Sequence, residues 1–116
     1  MTLIIDIKQL KSEGEIRKAL EPAISSLKQK GIVIYPTDTV YGIGCDPRDK
    51  EALRRLLSLK GRSGKPLPLL ASDINSVKSI AELPRGVEGI IEAFWPGPLT
   101  LVLPLKASLP HEITSV

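Results

Sequence analysis

Aromatic side chains are nearly missing from this 116-residue sequence: one Trp, two Tyr and one Phe, 3% in all. Its core must therefore be aliphatic, and its basic segments have no interleaved rings on which exposed bases could stack. Cysteine is reduced to Cys45, which rules out an intramolecular disulfide, so a reducing cytoplasm is the expected setting. Histidine is reduced to His111; with no Cys/His cluster, a structural zinc site is not expected. No apolar run approaches the roughly 20 residues that a membrane helix needs. The opening "MTLIIDIKQLK" lacks the basic start and apolar core of a secretory signal.

The remaining composition, 42% hydrophobic and 25% charged, is that of an ordinary globular domain, and the length suits one domain. A net charge of +3 says little by itself. Its distribution says more. Arg48, Lys50, Arg54, Arg55, Lys60, Arg62 and Lys65 lie close together, opposed only by Asp49 and Glu51. That segment carries a positive local field suited to phosphates.

Along the chain, β-branched "TLIIDI" (2–7) predicts a first strand. Ser12 and Glu15 form an S-x-x-E capping box, and Ile16, Leu20, Ile24 and Leu27 follow at helical spacing. Pro22 predicts a kink or a restart there, and Gly31 a stop. "IVIY" (32–35) reads as a buried central strand. Asp46 with Pro47 signals the start of the next helix, with Leu53, Leu56, Leu57 and Leu59 on its inner face. "LPLLA" (67–71) predicts a short strand, and Ser72 or Asp73 caps a helix to about Ile80. A further helix runs from about Gly86 to Phe94, "WPGPL" is a rigid turn, and "TLVLPL" (100–105) is another buried strand. "EITSV" (112–116) reads as the beginning of one more strand, so the end does not read as a finished terminus. Alternation of strands and helices predicts an α/β layered domain, with a twisted mixed or largely parallel sheet and flanking helices.

Three stretches carry candidate chemistry. "PTDT" lies just past a strand's carboxyl end, where ligands bind in open α/β sheets. Thr37, Thr39 and the neighbouring amides can hold a polar small molecule, and Tyr41 can add a phenol. The competing reading is a turn in which Asp38 and the threonines satisfy local backbone groups. "SLKGRSGKP" (58–66) puts Lys60, Arg62 and Lys65 on a glycine-bearing loop. It suits phosphate, though it lacks the P-loop pattern, and it equally suits a helix end with dipole-complementing bases. In "FWPGPLTLVLPL" (94–105), Trp95 reads as a turn anchor, while Thr100 either faces a pocket or packs. Cys45 and His111 read as structural, since no base is visible to activate the thiol.

"GIVIYPTDTVYGIG", "LKGRSGKPLPLL" and "FWPGPLTLVLPL", in this order and at this spacing, closely resemble the YrdC/Sua5 family of L-threonylcarbamoyladenylate synthases. The resemblance implies an ATP-dependent enzyme of the nucleotidyltransferase type. It would join L-threonine, bicarbonate and ATP into threonylcarbamoyl-AMP, with Mg2+ accompanying the triphosphate and no metal site of the protein's own. A partner complex would pass the threonylcarbamoyl group to adenosine 37 of ANN-decoding tRNAs, the t6A modification. By the same resemblance, Lys60 and Arg62 match a K-x-R pair that holds the ATP phosphates and stabilises departing pyrophosphate. Thr37 and Tyr41, with Thr39 and Thr100 as weaker candidates, line the threonine side. Ser63, Lys65 and Pro66 continue the nucleotide loop. Family members are nearly twice as long and complete the nucleotide pocket with an S-x-N block. No S-x-N occurs here, so residues 1–116 read as a YrdC-like domain with its second half absent. Two other readings share these features. One is a double-stranded RNA or tRNA-binding module acting through the basic run. The other is a carbamoyl-adenylate-forming domain of the kind found in hydrogenase maturation and antibiotic carbamoyltransferases, although no acylphosphatase or zinc-finger segment is present.

Overall fold

Helix ends in this chain are set by single side chains. The computed structural model describes residues 2–61 and 65–114. Helix α1 (Glu13–Ala19) starts where the Ser12 hydroxyl accepts the Glu15 N–H at 3.1 Å. The Glu15 carboxylate reaches back to the Lys11 N–H, 3.4 Å away, one residue upstream of the reciprocal partner a capping box predicts. Helix α2 (Glu21–Lys28) restarts at once. Pro22 sits in its first turn, where a missing N–H removes no helical bond. The helix closes in a Schellman turn: the Gly31 N–H bonds the Ser26 carbonyl at 2.7 Å, and the Lys30 N–H bonds that of Leu27 at 3.3 Å. Lys30, not the expected Gly31, takes the left-handed conformation, with φ 65°. Gly31 is needed for a different reason: a Cβ there would collide with Ser26.

The chain then forms an antiparallel hairpin of β1 (Val33–Tyr35) and β2 (Gly42–Gly44), pairing Val33 with Gly44, Ile34 with Ile43 and Tyr35 with Gly42. Tyr35 lies across both glycines. A Cβ on Gly42 would stand 2.6 Å from its ring, and one on Gly44 would stand 3.0 Å from it. On the hairpin's other face, Ile32, Ile43 and Cys45 pack against a cluster of Leu53, Leu56, Leu67 and Ile113. Ile34 is 67% exposed, so "IVIY" is not the buried central strand its apolar run predicts.

Helix α3 (Lys50–Lys60) supplies Ala52, Leu53 and Leu56 to the interior; Leu59 points outward. Its cap is Asp49, whose carboxylate accepts the Ala52 N–H at 3.0 Å, rather than Asp46. Asp46 is used one turn earlier, accepting the Arg48 N–H at 2.9 Å. Helix α4 (Ile74–Ile80) is capped by Asp73, and α5 (Val87–Phe94) buries Ile91. The last helical turn, α6 (His111–Thr114), replaces the strand expected from "EIT"; Ser115 and Val116 lie outside the described residues. It docks on α3 through Ile113, whose carbonyl receives the Leu67 N–H at 2.8 Å.

The α/β class stands, with one paired sheet, antiparallel, among the described residues. Three predicted strands, at 2–7, 67–71 and 100–105, are not laddered there. A strand needs a neighbour as well as β-branched side chains. Segment 100–105 meets the end of α4 in a single bridge, Ala81 with Leu105, flanked by Glu82 N–H to Pro104 O at 2.9 Å and Lys106 N–H to Ile80 O at 2.8 Å. Pro104 has no N–H to extend that pairing, and Val102 is 97% exposed. The radius of gyration, 15.5 Å, exceeds the roughly 13 Å of a compact domain this long, in keeping with a thin core.

Two tests follow from these contacts. The Ser76 N–H, then the Ser72 and Ser76 hydroxyls, hold the Asp73 carboxyl below its ordinary range. A depressed native pKa contributes stability above the unfolded value, and that contribution is lost as pH falls through the native one. Asp73→Ala should therefore lower Tm at pH 7, with the gap to wild type narrowing in acid melts. A pH-independent gap would contradict this role. Gly42→Ala should cost about 1–3 kcal/mol in denaturant unfolding by crowding the Tyr35 ring, and much less in a Tyr35→Ala background. Strict additivity of the two changes would show that ring and glycine are uncoupled.

Candidate functional site

The candidate site falls on two segments whose described residues 36–41, 60–61 and 65–66 are exposed and which adjoin one apolar cluster. The first joins β1 to β2. Its turn is closed by a side chain: the Thr37 hydroxyl donates to the Val40 carbonyl and accepts the Thr39 N–H at 3.2 Å. Residues 36–41 are all exposed, Tyr41 at 75%. Part of the turn reading is thus realised, in Thr37 alone. Asp38, Thr39 and Tyr41 make no side-chain hydrogen bond among the described residues.

The second segment begins where α3 ends. Lys60 is its last residue, and Gly61 caps it at φ 62° with its N–H directed to the Leu57 and Ser58 carbonyls. Gly61 thus serves the helix end, and Lys60 complements the negative end of the helix dipole. Arg62, Ser63 and Gly64 lie outside the described residues. Lys65 and Pro66 are exposed, and Leu67 brings the chain back into the cluster that holds the hairpin. Thr100 is exposed just past the "WPGPL" turn, where the Trp95 indole N–H bonds the Leu99 carbonyl at 2.8 Å and the Trp95–Pro96 bond is cis. Trp95 therefore anchors that turn, as expected.

The structure seats the 36–41 turn and the ends of the 60–66 loop on common support. No hydrogen bond among the described residues links Thr37, Thr39 or Tyr41 to Lys60, Lys65 or Thr100. An open concavity of about 410 Å³ lies elsewhere, lined by Lys78, Ala81, Glu82, Leu83, Glu88 and Lys106, none of them a predicted site residue.

Lys30 and part of the basic run are engaged in holding the fold. Lys30 pairs with Glu51 at 2.7 Å, and Glu51 raises its pKa. The Arg55 guanidinium donates to the Lys30 carbonyl at 2.9 Å. Arg54 stands 3.9 Å from Glu112, whose carboxylate is buried with neither oxygen hydrogen-bonded among the described residues. His111 is the other nearby base, at 3.4 Å. Cys45 packs against the cluster, and burial, ahead of the charges of Asp46 and Asp49, pushes its thiol pKa up, away from nucleophilic use.

Linear reading missed Tyr35. Its signal was present: an aromatic on one strand of a short hairpin faces a G-x-G on the other. The two glycines therefore make room for this ring, not for open space.

A family profile described as "Telomere recombination" (Sua5/YciO/YrdC) matches residues 25–116. A threonylcarbamoyl-AMP synthase of Xylella fastidiosa strain M12 is 41% identical over 100 residues, covering 82% of this chain and 53% of that protein. One from Pyrococcus abyssi is 36% identical over 116 residues, covering 98% of this chain and 33% of that protein. The crystal structure of P. abyssi Sua5 complexed with L-threonine superposes with a TM-score of 0.86 at 35% identity, over 98% of this chain and 33% of that one. The chain thus spans about half the length of its bacterial relatives and a third of the archaeal one. On both sequence and fold, the chain belongs to the Sua5/YciO/YrdC family.

Proposed function

We propose that this chain provides the L-threonine wall and the phosphate-binding loop for synthesis of threonylcarbamoyl-AMP from L-threonine, bicarbonate and ATP. The observation that carries this reading is the superposition, at TM-score 0.86, on a Sua5 structure complexed with L-threonine, together with the three motifs in register. Synthase names among the relatives support the same reading.

In this reaction the threonine amine adds to CO2 with loss of a proton, or to bicarbonate with loss of water, and forms a carbamate. A carbamate oxygen attacks the α-phosphorus of ATP, the bond to the β-phosphate oxygen breaks, and pyrophosphate leaves. Catalysis is mainly positioning and charge stabilisation. Lys60 and Arg62 hold the phosphates, with Ser63, Lys65 and Pro66 shaping the loop around the nucleotide. Thr37, Thr39, Tyr41 and Thr100 belong to the threonine side. Mg2+ enters with the triphosphate as part of the substrate. The product, a mixed anhydride, suits a partner complex that transfers threonylcarbamoyl to tRNA in a cytoplasmic setting. Direct RNA binding is the weaker reading, because Arg54 and Arg55 lie against other groups of the fold.

The test is pyrophosphate release on incubation with ATP, Mg2+, bicarbonate and L-threonine. Release should depend on L-threonine and fall at least about 100-fold in Lys60→Ala, the scale for losing one preorganised charge contact. Release indifferent to threonine would overturn the assignment.

A further inference from the structure

Thr37 is assigned to the threonine wall by its place in the motif, yet its one hydroxyl proton is already in use. A hydroxyl has one proton to donate and two lone pairs. The Thr37 proton goes to the Val40 carbonyl, and one lone pair receives the Thr39 N–H. An amino-acid ligand presents a carboxylate, which needs donors, and Thr37 can offer none without releasing its own turn. Thr39 and Tyr41 have hydroxyls with no hydrogen bond among the described residues, and both are exposed. They flank the Val40 carbonyl that Thr37 holds.

We infer that Thr37 is a positioning residue: its hydroxyl staples the 37–40 turn and so fixes the Thr39 and Tyr41 hydroxyls that contact the ligand. The inference rests on L-threonine being that ligand. Above the Tyr35–Gly42 pair, the described residues show no other closure of the turn. No backbone hydrogen bond spans 36–41 among the described residues outside the hairpin ladder. The strands beneath it are fixed separately, by Tyr35 over the two glycines and by Ile43 against the core. Loss of the staple should therefore loosen the turn without unfolding the domain. Stapling also gives Thr37 a demand different from its neighbours': Ser can replace it, but the isosteric Val cannot.

The experiment compares wild type, Thr37→Val and Thr37→Ser by L-threonine titration calorimetry and by hydrogen exchange at the Thr39 amide, with far-UV circular dichroism as the folding control. Thr37→Val should speed Thr39 exchange and weaken L-threonine binding about tenfold, the scale of one lost hydrogen bond. ATP binding should stay within about twofold. Thr37→Ser should restore both readouts to within about threefold of wild type. Faster exchange with unchanged threonine affinity would overturn the positioning role, as would unchanged exchange in Thr37→Val. Equal damage in the Ser and Val variants would overturn it too, by pointing to the methyl group. If wild type itself binds no L-threonine, the ligand assignment fails, which is a different result from any failure confined to the variants.

Discussion

Burial of Leu53, Leu56, Leu67 and Ile113 against one another is the contact on which the rest of this chain depends. Leu53 and Leu56 come from α3, Leu67 follows the basic loop, and Ile113 belongs to α6. The hairpin rests on the same cluster through Ile32, Ile43 and Cys45. One small patch of aliphatic surface therefore sets the positions of two segments that are far apart in sequence. With few aromatics available, no larger side chain can take over this task. The interior is correspondingly thin, and apolar residues such as Val102 and Ile4 stand in solvent.

Charge is used in two ways. Upstream, the positive groups are structural. Lys30 and Arg55 tie the end of α2 to α3, and Arg54 lies over the carboxylate of Glu112. Downstream, Lys60 and Lys65 are exposed at the two ends of the loop. Lys60 is also drawn to the negative end of its own helix.

Local chemistry was legible where it acts within a few residues. The Ser12 and Asp73 caps, the restart at Pro22 and the extent of α5 all depend on near neighbours. Features that need a distant partner were not. "TLVLPL" has the composition of a strand, but strand formation is decided by what lies beside it, and only Ala81 does. Nor does linear spacing show that Tyr35 lies across Gly42 and Gly44. Asp46 looked like a helix cap because it precedes a proline, yet Asp49 competes for that position and wins. For the proposed site, residue types in register singled out both segments by resemblance alone. They did not distinguish a threonine that meets a ligand from one that bonds its own loop.

That distinction has a kinetic side. A loop closed by backbone ladders opens only when its strands part, which takes the core with it. The turn over residues 37–40 is closed by one side chain on an exposed surface. Rotation about a single χ1 angle, a motion of picoseconds to nanoseconds, releases it and leaves the turn free to move in nanoseconds to microseconds, faster than the opening of packed structure. Opening of the turn is thereby separated from the stability of the domain: it can yield and re-form many times while the four-residue cluster beneath it stays shut.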